Sequence, residues 1–115
     1  IQDFDEAIKL NPEVAEVHYN RGLAYYHSGQ YERAIQDYDE AIRLGPQLHE
    51  AYYNRGKAYR KLGQHERAIQ DFDDAIRVNP LYAKAYYNKG MAYQALGKDK
   101  EAERDLKNAE QLGVG

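Results

Sequence analysis

Tyr52-Tyr53-Asn54-Arg55-Gly56-Lys57-Ala58-Tyr59, continued by Leu62-Gly63, Ala68-Ile69, Phe72, Ala75-Ile76 and Asn79-Pro80, is the stretch that decides the fold. Its landmarks return on both sides. Pro12, Pro46 and Pro80 are 34 residues apart, as are Gly22, Gly56 and Gly90, and again Gly29, Gly63 and Gly97. Segments 15–48 and 49–82 are identical at about twenty of their 34 positions. Self-similarity at such a period marks a chain of stacked supersecondary units. Within a unit, Tyr52, Tyr59 and Leu62 with the small Gly56 and Ala58 form one helical face, and Ala68, Ile69, Phe72, Ala75 and Ile76 form another. Gly63 predicts the turn between them, where a left-handed backbone costs least. Asn79-Pro80 predicts the end of the second helix, since proline disfavours helical geometry in the residue before it and has no amide hydrogen. Pro80 is then expected to open the next helix near its first turn. Gly56 and Ala75 are expected to let two antiparallel backbones approach closely.

Bulk properties narrow the function. The 115 residues are one domain's worth, 43% hydrophobic and 30% charged, which is a globular balance. A net charge of −3 argues against a general nucleic-acid binder, which needs a basic excess to displace counterions. No apolar run is long enough to span a bilayer, and no signal-peptide pattern opens the chain. With no cysteine, disulfides and thiolate metal sites are excluded, which fits a cytoplasmic location. The 12 tyrosines, against 2 phenylalanines and no tryptophan, fit a motif that uses Tyr in fixed slots.

The quoted residues resemble, slot by slot, the signature of the tetratricopeptide repeat family. The resemblance covers nearly the whole chain as one domain: a second helix at 1–14, full repeats at 15–48 and 49–82, and a final repeat with a capping helix at 83–115. It implies an all-α, right-handed α-solenoid of antiparallel helix pairs, whose concave groove is lined by the first helix of each pair.

The two ends differ. Ile35, Ile69, Ile42 and Ile76 are expected to face the following repeat, whereas Glu103 and Glu110 hold those slots in the last helix beside apolar Ala102, Leu106 and Ala109. A charged outer stripe is what a solenoid end requires. The C-terminus is thus expected to end the array, with Gly113-Val114-Gly115 frayed. Ile1, Phe4, Ala7 and Ile8 match the second-helix pattern without the helix that should cover them, so the N-terminus is expected to be a cut. Self-assembly through helix 1–10 and simple fraying are both open there.

By the same resemblance, the groove residues are Tyr19, Asn20, Leu23 and Tyr26 in one repeat, Tyr53, Asn54, Lys57, Arg60 and Lys61 in the next, and Lys84, Tyr87 and Asn88 in the last. His18, Tyr52 and Tyr86 take the core aromatic slot, so the adjacent tyrosine is expected to point into the groove. Tyr and Asn would suit an extended or helical peptide; helping neighbouring first helices pack is the other reading. Lys57, Arg60, Lys61 and Lys84 make a basic cluster that favours an acidic partner, although a helix C-terminus alone favours Arg60 and Lys61. Modules of this family that hold chaperone carboxylates use a five-residue clamp of lysine, asparagine and arginine. Only Asn54 and Lys84 match it, while Tyr19, Leu23 and Asn88 depart, so that clamp is not expected.

Arg21, Arg55 and Lys89 each have an aspartate sixteen residues on, at Asp37, Asp71 and Asp105. Ion pairs within each repeat are expected. Asp39 with Arg43 and Asp73 with Arg77 are expected to pair along one helix. Asp37-Tyr38-Asp39-Glu40 and Asp71-Phe72-Asp73-Asp74 lack the glycine turn of a calcium loop and predict a solvated charged face instead. His18, His27, His49 and His65 lack metal spacing. Without Cys or Thr, and with Ser28 as the one serine, a nucleophilic triad has almost no material. The chain is therefore read as a non-enzymatic scaffold without cofactor or metal. It binds a protein or peptide and neither nucleic acid nor membrane, with a self-assembly module as the alternative.

Overall fold

The computed structural model describes residues 2–113, so the expectations for Ile1 and for Val114-Gly115 lie outside the described residues. Among the described residues seven helices follow one another: α1 (Gln2–Leu10), α2 (Ala15–His27), α3 (Tyr31–Leu44), α4 (His49–Lys61), α5 (His65–Val78), α6 (Ala83–Ala95) and α7 (Asp99–Gln111). Pairs α2/α3, α4/α5 and α6/α7 pack within repeats, and α3/α4 and α5/α6 pack between them. Stacking along one direction gives a body of 48 × 25 × 21 Å.

The turns inside each pair have one chemistry. Gly63 has φ +78, its N–H donates to the Arg60 carbonyl (3.0 Å), and the Gln64 N–H reaches back to the Tyr59 carbonyl (2.9 Å). That crossed pair of bonds satisfies carbonyls the helix end would otherwise strand. Gly29 and Gly97 repeat it. The prolines sit elsewhere than expected. Pro12, Pro46 and Pro80 lie in the loop, with the next helix starting three residues later. The loop's own bonds are the reason: the Tyr82 N–H closes on the Asn79 carbonyl (3.1 Å) before the Ala85 N–H bonds to Tyr82 (3.1 Å). Pro80 thus stops α5 without starting α6.

The core draws on both helices of each pair, with Ala51, Ala58, Ala85 and Ala92 buried on the first helices. Ala34, Tyr38 and Ala41 in α3, and Ala68, Phe72 and Ala75 in α5, are fully buried. Ile42 packs against the cluster built on Tyr52, Tyr53 and Phe72, so it faces the following repeat. In α7, Ala102 and Ala109 are buried while Glu103 and Glu110 are exposed, the charged outer stripe the sequence predicts. At the opposite end Phe4 is only half-buried.

The repeated glycine receives a side chain more than a backbone. A Cβ on Gly56 would lie 2.7 Å from Phe72 Cε1, one on Gly22 would lie 2.7 Å from Tyr38 Cε1, and one on Gly90 would lie 2.8 Å from Leu106 Cγ. Each second helix thus presses a large residue onto a bare stretch of its partner.

A seam of charges joins the repeats. Arg55 grips Asp71 of its own repeat with two bonds (2.7 and 2.9 Å) and reaches Asp39 of the preceding repeat with a third (2.9 Å). Arg21 does the same with Asp37 and Asp5, and the Lys89 ammonium bridges Asp105 and Asp73 with one contact to each. The within-repeat pairs match expectation. The expected Asp39–Arg43 and Asp73–Arg77 pairs do not form, because Asp39 and Asp73 are taken by the next repeat's cation. Arg43 turns to Glu40 and Arg77 to Asp74. The acidic strings are likewise not wholly solvated, since Asp37 and Asp71 are buried. Burial pushes the Asp71 carboxyl up, opposed by the bonds from Arg55.

Two sets of variants check these contacts. Gly56→Ala is expected to lower stability by about 1 to 2 kcal/mol despite alanine's better helix propensity, because the buried Phe72 ring cannot retreat. Combined with Phe72→Leu, the loss should be less than additive in urea unfolding. Gly63→Ala meets nothing within 4 Å, so its cost comes from its left-handed φ and should add to that of Phe72→Leu. Arg55→Met should cost about 3 to 5 kcal/mol by stranding the Asp71 charge, and Arg55→Met with Asp71→Asn should recover much of it. A carboxyl raised in the folded state binds its proton more tightly there than in the unfolded chain. The single variant should therefore gain stability as pH falls from neutral toward 5, read from thermal melts.

Candidate functional site

The first helices α2, α4 and α6 lie side by side and touch lightly, which places their outward faces on a common concave surface. The expected groove residues divide into two groups there. One group packs. The Asn54 Nδ2 donates to the Tyr19 hydroxyl of the preceding helix (2.9 Å) and to the Glu50 carbonyl (2.9 Å). One repeat on, the Asn88 Nδ2 donates to the Tyr53 hydroxyl (3.0 Å) and the Lys84 carbonyl (3.0 Å). Tyr53 is 7% exposed, with its ring 5.0 Å from that of Tyr82 and 5.9 Å from that of Phe72. Tyr53 therefore does not project into the groove as expected, because Phe72 and Tyr82 of its own repeat hold its ring and Asn88 of the next repeat takes its hydroxyl. Asn54, also buried, staples α4 to α2. Burial pushes the Tyr19 and Tyr53 phenols up to about 12.

The other group stays open. Asn20, Lys61, Lys84 and Tyr87 are exposed, and Leu23, Tyr26, Lys57 and Arg60 are half-buried. Lys57, Arg60 and Lys61 meet Tyr26, His65 and Asn88 around a cavity of about 350 Å³. The Lys57 ammonium lies 5.3 Å from the centre of the Tyr26 ring and 5.2 Å from that of Tyr53, within cation–π reach of both. Burial first, then the nearby charges of Lys84, Lys61 and Arg60, depress its pKa. The Arg60 Nη1 donates to the Asn88 Oδ1 (2.9 Å), so the same asparagine that staples α6 to α4 also aims the guanidinium. The basic residues thus converge on one volume, more than helix-end placement alone requires.

His65 was not expected here. It opens α5 just past the Gly63 turn, and the continuation of Arg60-Lys61 across that turn was the available signal. His18 is structural: its Nε2 donates to the Pro12 carbonyl (2.8 Å), as the Tyr52 hydroxyl does to Pro46 (3.1 Å). Among the described residues no group of three or more His, Cys, Asp or Glu is placed to hold a metal, and no helix is long and apolar enough to cross a membrane.

A stack of helix pairs with one open concave side defines a helical-repeat scaffold for protein interaction. The TPR repeat matches at residues 1–29 and 24–63, and the tetratricopeptide repeat at 49–82 and 72–104. The chain belongs to the tetratricopeptide repeat family. No curated protein sequence matches it. Among solved structures, that of MamA superposes with a TM-score of 0.93 at 29% identity, covering 96% of this chain and 65% of MamA. A second MamA structure matches over 96% of this chain and 61% of the chain in that structure, so this chain spans less than two thirds of MamA in either comparison. The second TPR of Spaghetti (RPAP3), bound to the HSP90 peptide SRMEEVD, superposes at 0.85 with 34% identity, covering 93% of this chain and 98% of that one. The Arabidopsis OM64 TPR domain superposes at 0.86 with 34% identity over 88% of this chain and 84% of its own.

The tyrosine staples set an alkaline limit. A phenol raised from 10.0 to about 12 in the folded state loses its proton first in the unfolded chain. Stability should therefore hold up to about pH 10 and fall as pH rises further. Tyr19→Phe with Tyr53→Phe should flatten that fall in urea midpoints taken between pH 9 and 11.

Proposed function

We propose that the concave face of α2, α4 and α6 binds an acidic, extended segment of a partner protein, and that the chain works by binding rather than by turnover. The observation that carries this reading is the convergence of Lys57, Arg60 and Lys61 on one cavity, with Lys84 close enough to perturb Lys57, in a chain whose net charge is −3. A basic hollow on an acidic molecule steers and selects acidic partners. The Spaghetti structure with its EEVD-ending peptide supports a peptide ligand in general. It does not carry over the carboxylate clamp, because Tyr19, Leu23 and Asn88 occupy clamp slots and Tyr19 engages the Asn54 amide. In this reading Lys57, Arg60, Lys61 and Lys84 form the charged wall. Leu23, Tyr26 and Tyr87 supply apolar contact, Asn20 and Asn88 supply polar contact, and Tyr19, Tyr53 and Asn54 hold the surface in shape.

One observation favours a second reading. Phe4 is half-buried, whereas Tyr38 and Phe72, in the same repeat slot, are fully buried. Self-association through α1 would cover it. Sedimentation across a concentration series, with Phe4→Glu as the disrupting variant, tests that reading.

The groove is tested with fluorescein-labelled peptides of matched length, one Glu-rich and one Lys-rich. The Glu-rich peptide is expected to bind, and to bind more weakly as salt screens the wall. Lys61→Glu with Lys84→Glu should lower its affinity at least about tenfold, while Arg43→Glu on α3 should leave it unchanged. Equal binding of both peptides, or indifference to the groove reversal, would place the interaction elsewhere.

A further inference from the structure

We infer that the cavity between Tyr26, Lys57, Arg60, Lys61, His65 and Asn88 receives a phosphate monoester, carried as a phosphorylated side chain on the docked segment. This deepens the groove reading and rests on it. What singles out this cavity is its share of the cations that are not exposed. Among the described residues these are Arg21, Arg55, Lys57, Arg60 and Lys89. Arg21, Arg55 and Lys89 each hold two carboxylates. Lys57 and Arg60 hold none, and both line this cavity. A partly desolvated cation without a counterion destabilises the fold, and Lys57 is further opposed by Lys84, Lys61 and Arg60. The other three shielded cations are all paired. Here two are left together.

Charge and geometry indicate what would complete the site. Two shielded cations, with exposed Lys61 beside them, are matched by a dianion; a single carboxylate would leave one uncompensated. The donors come from α4 and, through the His65 ring, from α5, and so approach from different sides. A tetrahedral group with three acceptor oxygens can accept from such directions, whereas a planar carboxylate accepts near one plane. The arrangement is built before any ligand arrives. Asn88 Oδ1 holds Arg60, and Asn88 is itself anchored to Tyr53 and to the Lys84 carbonyl, so little ordering remains to oppose binding. The His65 Nδ1 is buried without a hydrogen-bond partner on a residue of the same wall. Tyr26 gives that wall an apolar side against which the stem of a phosphorylated side chain can lie.

The test starts with inorganic phosphate and acetate, titrated separately at constant ionic strength and neutral pH into the ¹⁵N-labelled chain. Phosphate should shift the amides of Lys57, Arg60, Lys61 and His65 saturably, and acetate should shift them far less. Lys57→Met and Lys61→Glu should each weaken phosphate about tenfold, the usual size for losing a charge-assisted contact. Lys57→Met should also keep or raise Tm, since it removes a repelled cation, and this separates loss of binding from loss of fold. Equal responses to both anions would overturn the site, as would phosphate shifts centred on the other basic hollow, at Lys100, Arg104 and Lys107 of α7. The second arm compares the Glu-rich peptide carrying one phosphoserine with its serine form, and with a single-stranded RNA of similar charge. Phosphorylation should tighten binding at least about tenfold. Equal binding of the two peptides in the groove would overturn the phosphate site while leaving the groove reading intact. Tighter binding of the RNA would overturn both. Saturable phosphate binding with no peptide bound would sink the groove reading and assign the cavity to a free phosphate ester.

Discussion

Everything else in this molecule depends on a large side chain seated where its partner helix has no Cβ. Phe72 on Gly56, Tyr38 on Gly22 and Leu106 on Gly90 set how closely each pair of helices can lie. Helices packed this tightly bury an alanine-rich column, Ala34, Ala41, Ala68, Ala75, Ala102 and Ala109, that would contribute little if the pair stood further apart. Because the contact recurs every 34 residues, the same pair is built three times and the stack follows from repetition.

What registers one pair against the next is polar. Arg21, Arg55 and Lys89 each bridge an aspartate of their own repeat and one of the repeat before. The Asn54–Tyr19 and Asn88–Tyr53 bonds do the same on the concave side. A hydrophobic contact tolerates sliding, whereas a bidentate guanidinium with one carboxylate on each side does not. The slot held by Asp5, Asp39 and Asp73 holds Lys107 in the last helix. A further cation arriving there would be repelled, which complements the charged outer stripe at Glu103 and Glu110.

The groove inherits its character from that division of labour. Residues with a partner in the next repeat are withdrawn into the stack, and those without one are left to face solvent or a ligand. Lys57, Arg60 and Lys61 differ from repeat to repeat while the scaffold residues recur: the matching slots in α2 hold Leu23, Tyr26 and His27. Variation laid on an invariant frame is how one fold serves different partners.

Legible in the sequence alone were the helices, the turns at Gly29, Gly63 and Gly97, and the pairing of Arg55 with Asp71. All of these follow from periodicity and from single-residue stereochemistry, which are local or recur at a fixed offset. The sequence could not show that Asp39 would choose Arg55 over Arg43, since both lie within reach by spacing and only the packed geometry of two repeats ranks them. Nor could it show that Tyr53 and Asn54 are buried while Lys57 and Arg60 stay open. Adjacent residues on one helix differ in fate according to what the neighbouring helix brings against them. His65 joined the basic cavity for the same reason: a turn brings it back over α4, and proximity through a turn is a property of three dimensions.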